Sequence, residues 1–132
     1  MVLVDTSVWI DFLLRGTTGE SRVLARLIEA EEEIATCGLI RQEVLQGIRD
    51  DVAWTRVRNL LNQTHYLRLE EPQTFDDAAQ LYRGLKHKGI TLRSPMDCLI
   101  SVLAIQYQTP LLHRDRDFVV IARVSNLKLH AT

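Results

Sequence analysis

Short apolar runs alternate with stretches of helical periodicity along the whole chain. Val2-Leu3-Val4 is wholly apolar, as a strand buried on both faces of a parallel sheet should be. Behind it Val8, Trp9, Phe12 and Leu13 share one helical face, with Thr6 or Ser7 where an N-cap belongs. A loop around Gly16–Gly19 leads to a second helix with Val23, Leu24, Leu27 and Ile28 inward, which closes on the solvated run Glu29 to Glu33. Ile34-Ala35-Thr36 reads as the next strand. Gly38 opens a helix that carries Glu43 and ends near Gly47, and Trp54, Val57, Leu60 and Leu61 mark another. Trp9 and Trp54 are both expected in the core. His65–Leu69 alternates as a short strand.

Thr74-Phe75-Asp76-Asp77 resembles a capping box ahead of Phe75, Ala78, Tyr82 and Leu85 at helical spacing, and Gly89 is placed as a C′ stop. Ser94 caps and Pro95 takes the first position of a helix whose body, Cys98 to Ile105, is apolar nearly all round and so the most buried. After Pro110-Leu111-Leu112 the pattern expects a turn and one further strand. Strands alternating with helix pairs predict an α/β fold: a mostly parallel sheet of four to five strands, flanked by helices on both faces. Residues 1–132 form one domain in this reading.

Composition narrows the setting. No apolar run approaches the ~20 residues that span a bilayer, so no membrane partner is expected. No basic segment precedes an apolar one at the N-terminus, and Cys37 and Cys98 sit in apolar surroundings as free thiols. Both features favour a reducing, cytoplasmic setting. The formal net charge of −1 hides an asymmetry. Residues 1–80 hold 8 basic against 14 acidic side chains, and residues 81–132 hold 8 against 3. A basic surface beside an acidic site suits a polyanionic substrate.

The acids carry the chemistry. Asp5 closes the first apolar run, Glu43 lies just inside the helix after the second, Asp97 begins the apolar helix, and Asp115 follows Leu111-Leu112. In an open α/β sheet all four positions fall at the carboxyl ends of the strands, where such folds bind ligands. Carboxylates converging there repel by several kcal/mol per close pair at an effective dielectric of ~20. A hard divalent cation with oxygen ligands relieves that repulsion. The chain therefore reads as a metal-dependent enzyme. No G-x-S-x-G, P-loop or G-x-G-x-x-G is present, and the cysteines and histidines lack zinc spacing. His65, His87 and His130 read as surface residues, and Asp11, Asp50, Asp51, Asp76 and Asp77 as caps and solvated faces.

Four blocks then converge on a family. Val4-Asp5-Thr6-Ser7-Val8-Trp9-Ile10-Asp11, Glu43-Val44-Leu45-Gln46-Gly47, Arg93-Ser94-Pro95-Met96-Asp97-Cys98-Leu99-Ile100 and His113-Arg114-Asp115-Arg116-Asp117-Phe118 resemble the PIN-domain ribonucleases, above all the toxins of VapBC toxin–antitoxin pairs. The resemblance implies an endoribonuclease toxin that hydrolyses tRNA or another structured RNA, inhibits translation, and is neutralised by a cognate antitoxin. It implies a Mg²⁺ or Mn²⁺ site built from Asp5, Glu43 (directly or through water), Asp97 and Asp115, with Asp117 as an additional acid. Ser7 and Arg93 match polar positions near the family's active site, and His113 departs from the usual Thr or Ser. Arg93, Arg114 and Arg116 flank the acids as candidate RNA contacts. The expected assembly is a homodimer or a hetero-oligomer with the antitoxin. Two other readings remain: a catalytically inactive PIN-like binding scaffold, and a DNA flap-type nuclease.

Overall fold

The computed structural model describes residues 1–132. Four strands form one sheet: β1 (Val2–Val4), β2 (Ile34–Thr36), β3 (His65–Tyr66) and β4 (Leu111–Leu112). The helices are α1 (Thr6–Leu14), α2 (Gly19–Glu29), α3 (Gly38–Gln46), α4 (Asp51–Asn62), α5 (Gln73–His87), α6 (Met96–Gln106) and α7 (Arg116–Arg123). Strand order is β3-β2-β1-β4, and every pairing is parallel. The wholly apolar β1 is thus central, and its three residues are buried on both faces.

That order makes β1 the switch point. The chain leaves β1 toward β2 and β3, then returns across the sheet to β4 on the other side. Right-handed crossovers running in opposite directions put α1 to α4 on one face and α5 and α6 on the other. The crevice between the carboxyl ends of β1 and β4 is where such a sheet presents a ligand site.

The packing follows the apolar pattern. Leu3, Val4, Leu111 and Leu112 are fully buried beneath Trp9 and Leu24 on one side and Leu103, Leu85 and Phe118 among the core on the other. Burying side chains of this size stabilises by about 1.5–3 kcal/mol each. Helix α6 is the most enclosed, with Cys98 and Ile100 to Ala104 all buried. Cys37 and Cys98 are buried free thiols, as expected, and burial pushes the Cys98 thiol up to about 11, so it stays protonated and inert. Gly89, at φ +77°, follows the Lys88 C-cap of α5, a left-handed position that a side chain would strain.

Several local expectations are corrected. Asp5, not Thr6 or Ser7, caps α1, because its carboxylate accepts the Ser7 N–H directly. The Thr74 capping box does not form. Thr74 lies inside α5, fully buried, and its hydroxyl accepts the Glu70 N–H and donates to Gln106 Oε1. Ser94 does act near the start of α6, its Oγ accepting the Met96 N–H at 3.2 Å, but Pro95 sits at the cap and Met96 opens the helix. Trp54 is only half-buried, with the Arg58 guanidinium 5.4 Å from its ring centre. Beyond β4 the chain forms helix α7 rather than a turn and a strand. A fifth strand survives only as a single parallel bridge between Leu111 and Leu129, so the sheet has four strands.

Candidate active site

The carboxyl end of the sheet gathers the acids. Asp5 leaves β1 and is only 6% exposed, held by Ser7 through its N–H at 3.1 Å and its hydroxyl at 2.6 Å. Burial raises the Asp5 pKa above the ordinary carboxylate value, and the two Ser7 donors partly offset that rise. Ser7 Oγ in turn accepts the Arg114 N–H at 3.1 Å, so one hydroxyl joins the end of β1 to the loop after β4. Glu43, on α3, accepts from Thr6 Oγ1 at 2.8 Å, which ties α3 to the start of α1.

Asp97 enters from the first turn of α6 and Asp115 from the N-cap of α7, where Asp115 Oδ1 accepts the Asp117 N–H at 2.9 Å. One oxygen from each of Asp97, Asp115 and Asp117 lies within 4.8 Å of the others. Asp117 therefore belongs to the tightest trio, with Asp5 and Glu43 around it. The field of the whole set registers on Asp97. Burial first, then the charges of Asp115, Asp5, Asp117 and Glu43, raise its pKa from 3.8 to about 7. Four carboxylates around one half-buried acid are what a hard cation with oxygen ligands would relieve.

His113 does not reach a site carboxylate. Its Nδ1 accepts the Asp115 N–H at 3.1 Å, and its ring rests on Phe118 with centroids 5.3 Å apart. Burial lowers its pKa, so the ring is neutral with the proton on Nε2. A Thr or Ser hydroxyl in this place could accept the same N–H, so the imidazole substitutes as a turn cap.

The three arginines separate by their engagement. The Arg93 guanidinium donates to Asp115 Oδ1 at 3.0 Å and lies 3.9 Å from Asp117, while its backbone N–H donates to Asp117 Oδ2 at 3.1 Å. Arg114 spans Asp11 and Glu20, 3.8 Å from each, and so clamps α1 and α2 to the loop after β4. Arg116 is exposed and makes no ion pair. Asp11, expected among the caps and solvated faces, is instead buried: it accepts the Thr18 hydroxyl at 2.6 Å, and the hydroxyl's oxygen also caps α2 through the Ser21 N–H. An acid on the first helix with a Thr seven residues on, at the start of the next, was the signal available for it.

Residues 2–124 match the family model for the PIN domain. The chain belongs to the PIN-domain family. Over 130 residues it is 40% identical to the VapC ribonuclease Mb1587 of Mycobacterium bovis, covering 97% of this chain and 96% of that relative. It is equally similar to ribonuclease VapC11 of Mycobacterium tuberculosis. Among solved structures this PIN domain resembles VapBC2 from Rickettsia felis, bound to a DNA fragment from its promoter, with a TM-score of 0.73 at 16% identity over 98% of both chains. It also resembles VapC20 of M. tuberculosis, a sarcin-ricin-loop-cleaving toxin, with a TM-score of 0.62 at 18% identity over 91% of this chain and 94% of that one. At such identities the structural likeness speaks for the fold. No helix of this PIN domain is long and apolar enough to cross a membrane.

Proposed function

We propose that this PIN domain is a divalent-cation-dependent endoribonuclease toxin, acting on a structured cellular RNA and restrained by a cognate antitoxin. The observation that carries the reading is the acidic trio of Asp97, Asp115 and Asp117 at the mouth of the β1–β4 crevice, with the Asp97 carboxyl raised to about 7. The curated relatives of 40% identity are named ribonucleases, and several structural neighbours are VapBC complexes. The first supports RNA as the substrate and the second an antitoxin as the partner.

Asp97, Asp115 and Asp5 would hold Mg²⁺ or Mn²⁺, with Asp117 beside them and Glu43 directly or through water. A divalent cation there supplies a nucleophile from water at neutral pH and neutralises charge developing on the phosphodiester. The chain's own residues do the rest. Ser7 fixes the orientation of Asp5, Thr6 fixes Glu43, and the N-cap bond from Asp117 N–H fixes Asp115. An acid of this set that holds no cation is a base able to orient the attacking water. Arg116, exposed and free of acidic partners, is the phosphate contact least compromised by the fold.

An apolar groove of about 600 Å³ opens beside α1, lined by Leu13, Leu14, Ile48, Ala53, Val57 and Leu60. The groove lies between the end of α1 and α4. It fits the apolar side of an antitoxin tail. The 40%-identical relatives named ribonucleases favour RNA over the DNA flap-type reading. An inactive scaffold is disfavoured because all the acids are present and converge.

The test is cleavage of total RNA by purified protein in Mg²⁺, with Asp97→Asn alongside. Expected are products with 5′-phosphate and 3′-hydroxyl ends, loss of cleavage in Asp97→Asn with RNA binding retained, and arrest of cleavage by the antitoxin. Cleavage by Asp97→Asn at the parent rate would overturn the assignment.

A further inference from the structure

Arg93 stands in an unusual relation to the acidic trio. Its side chain is 75% exposed, yet the guanidinium is committed to Asp115 Oδ1 at 3.0 Å and lies within 3.9 Å of Asp117. Asp115 Oδ1 already accepts the Asp117 N–H. That one oxygen thus takes two donors, one backbone and one guanidinium. The backbone of residue 93 is anchored separately, because its N–H donates to Asp117 Oδ2. The side chain is therefore not needed to hold the loop before α6 in place. What it contributes is one positive charge inside a cluster of mutually repelling negative ones.

We propose that Arg93 is a tethered counter-cation, resting on Asp115 and Asp117 when no divalent ion is bound and released toward the RNA phosphate when one binds. This rests on the reading of the acidic cluster as a cation site. A guanidinium and a divalent cation on the same two carboxylates repel each other, so the ion with the larger charge density takes the oxygens. The flexible side chain, already mostly in water, gives way at small cost. Once freed, it sits on the rim of the site with its planar fork unpaired, a geometry suited to a phosphodiester. The exchange keeps the cluster partly neutralised in both states. It also couples cation binding to RNA binding, since each removes a competitor of the other's partner.

An exposed ion pair of this kind contributes at most a small free energy, so the effect on cation affinity is a factor of about two to five. Mg²⁺ titrations by calorimetry on the parent, Arg93→Ala, Arg93→Lys and Arg116→Gln read it directly. Arg93→Ala is expected to bind Mg²⁺ about two- to fivefold tighter and to melt lower than the parent without Mg²⁺, with the difference closing at saturation. Arg93→Lys falls between, since a point charge cannot span both acids as the fork does. Arg116→Gln removes a nearby charge that touches no acid and is expected to change Mg²⁺ affinity by less than twofold. In the parent, the Arg93 Nε–H resonance should move on Mg²⁺ addition as the side chain leaves Asp115. Unchanged or weaker Mg²⁺ binding in Arg93→Ala, or an equal gain in Arg116→Gln, overturns the proposal while leaving the cation site intact. A parent protein that binds no Mg²⁺ removes both together.

Discussion

Ser7 Oγ donates to Asp5 Oδ2 at 2.6 Å and, from the same oxygen, accepts the Arg114 N–H at 3.1 Å. A residue two positions from a site acid thereby fixes both that acid's orientation and the loop carrying Asp115. Ser7→Ala removes a donor that lowers the Asp5 pKa. Asp5 should titrate at higher pH in the variant, the acid limb of cleavage should move up with it, and stability should fall by about 1 kcal/mol. Carbon-13 titration of the Asp5 carboxyl and urea unfolding measure the two effects. An Asp5 titration identical to the parent would show that the hydroxyl has no electrostatic role.

Asp97 makes stability depend on pH when divalent cations are absent. Its folded pKa of about 7 lies above the ordinary value of 3.8, so between these limits the folded protein keeps a proton that the unfolded chain has released. The resulting stabilisation is complete at the low end and is lost as pH rises through 7. From pH 6 to pH 8 the loss should be about 1 kcal/mol once partial exposure is allowed for. Calorimetric melting of Asp97→Asn in chelator should lack this slope. The same slope in parent and variant would assign it to another group.

Thr18 serves two elements at once, donating to buried Asp11 and capping α2 through the Ser21 N–H. Thr18→Ala should destabilise by about 1–2 kcal/mol, from a lost cap and an acid left short of a donor. Thr18→Ser should recover most of that. Equilibrium urea denaturation of the pair decides the matter.

Leu14 is 77% exposed beside the groove between α1 and α4, so changing it leaves the core untouched. Leu14→Glu should leave the melting temperature within a degree or two of the parent while weakening the cognate antitoxin at least tenfold. Titration of the antitoxin against each protein is the measurement. Undiminished affinity would move the docking surface elsewhere.

Periodicity alone carried the fold a long way, since the β-α-α repeat and the wholly apolar Val2–Val4 strand both stand in the structure. The acids at strand ends were legible for the same reason: a parallel sheet leaves few places for a charge next to an apolar run. Local chemistry was harder to read. Phe118-Val119-Val120-Ile121 is rich in β-branched residues, yet Asp115 caps it and Phe118 and Ile121 turn one face inward, so packing overrides propensity. Thr74 looked like a cap because its neighbours are acidic. Its burial against Gln106 of α6 depends on a contact between helices that no short window contains. The ion pair of Arg114 with Asp11 likewise joins segments about a hundred residues apart.

The central position of β1 has a consequence for the order in which the molecule can be made. Leu3 and Asp5 donate to Pro110 and Leu112, and Thr109 donates to the Met1 carbonyl. β1 therefore precedes both of its neighbours in the chain and gains the second, β4, only after most of the domain has been made. Closing a loop of that length costs about 4 kcal/mol of chain entropy before any contact across it forms. Until then a growing chain holds Asp5 and Glu43 without Asp97, Asp115 or Asp117. In a nascent chain the cluster stays incomplete: the last acids to be translated are those that complete it.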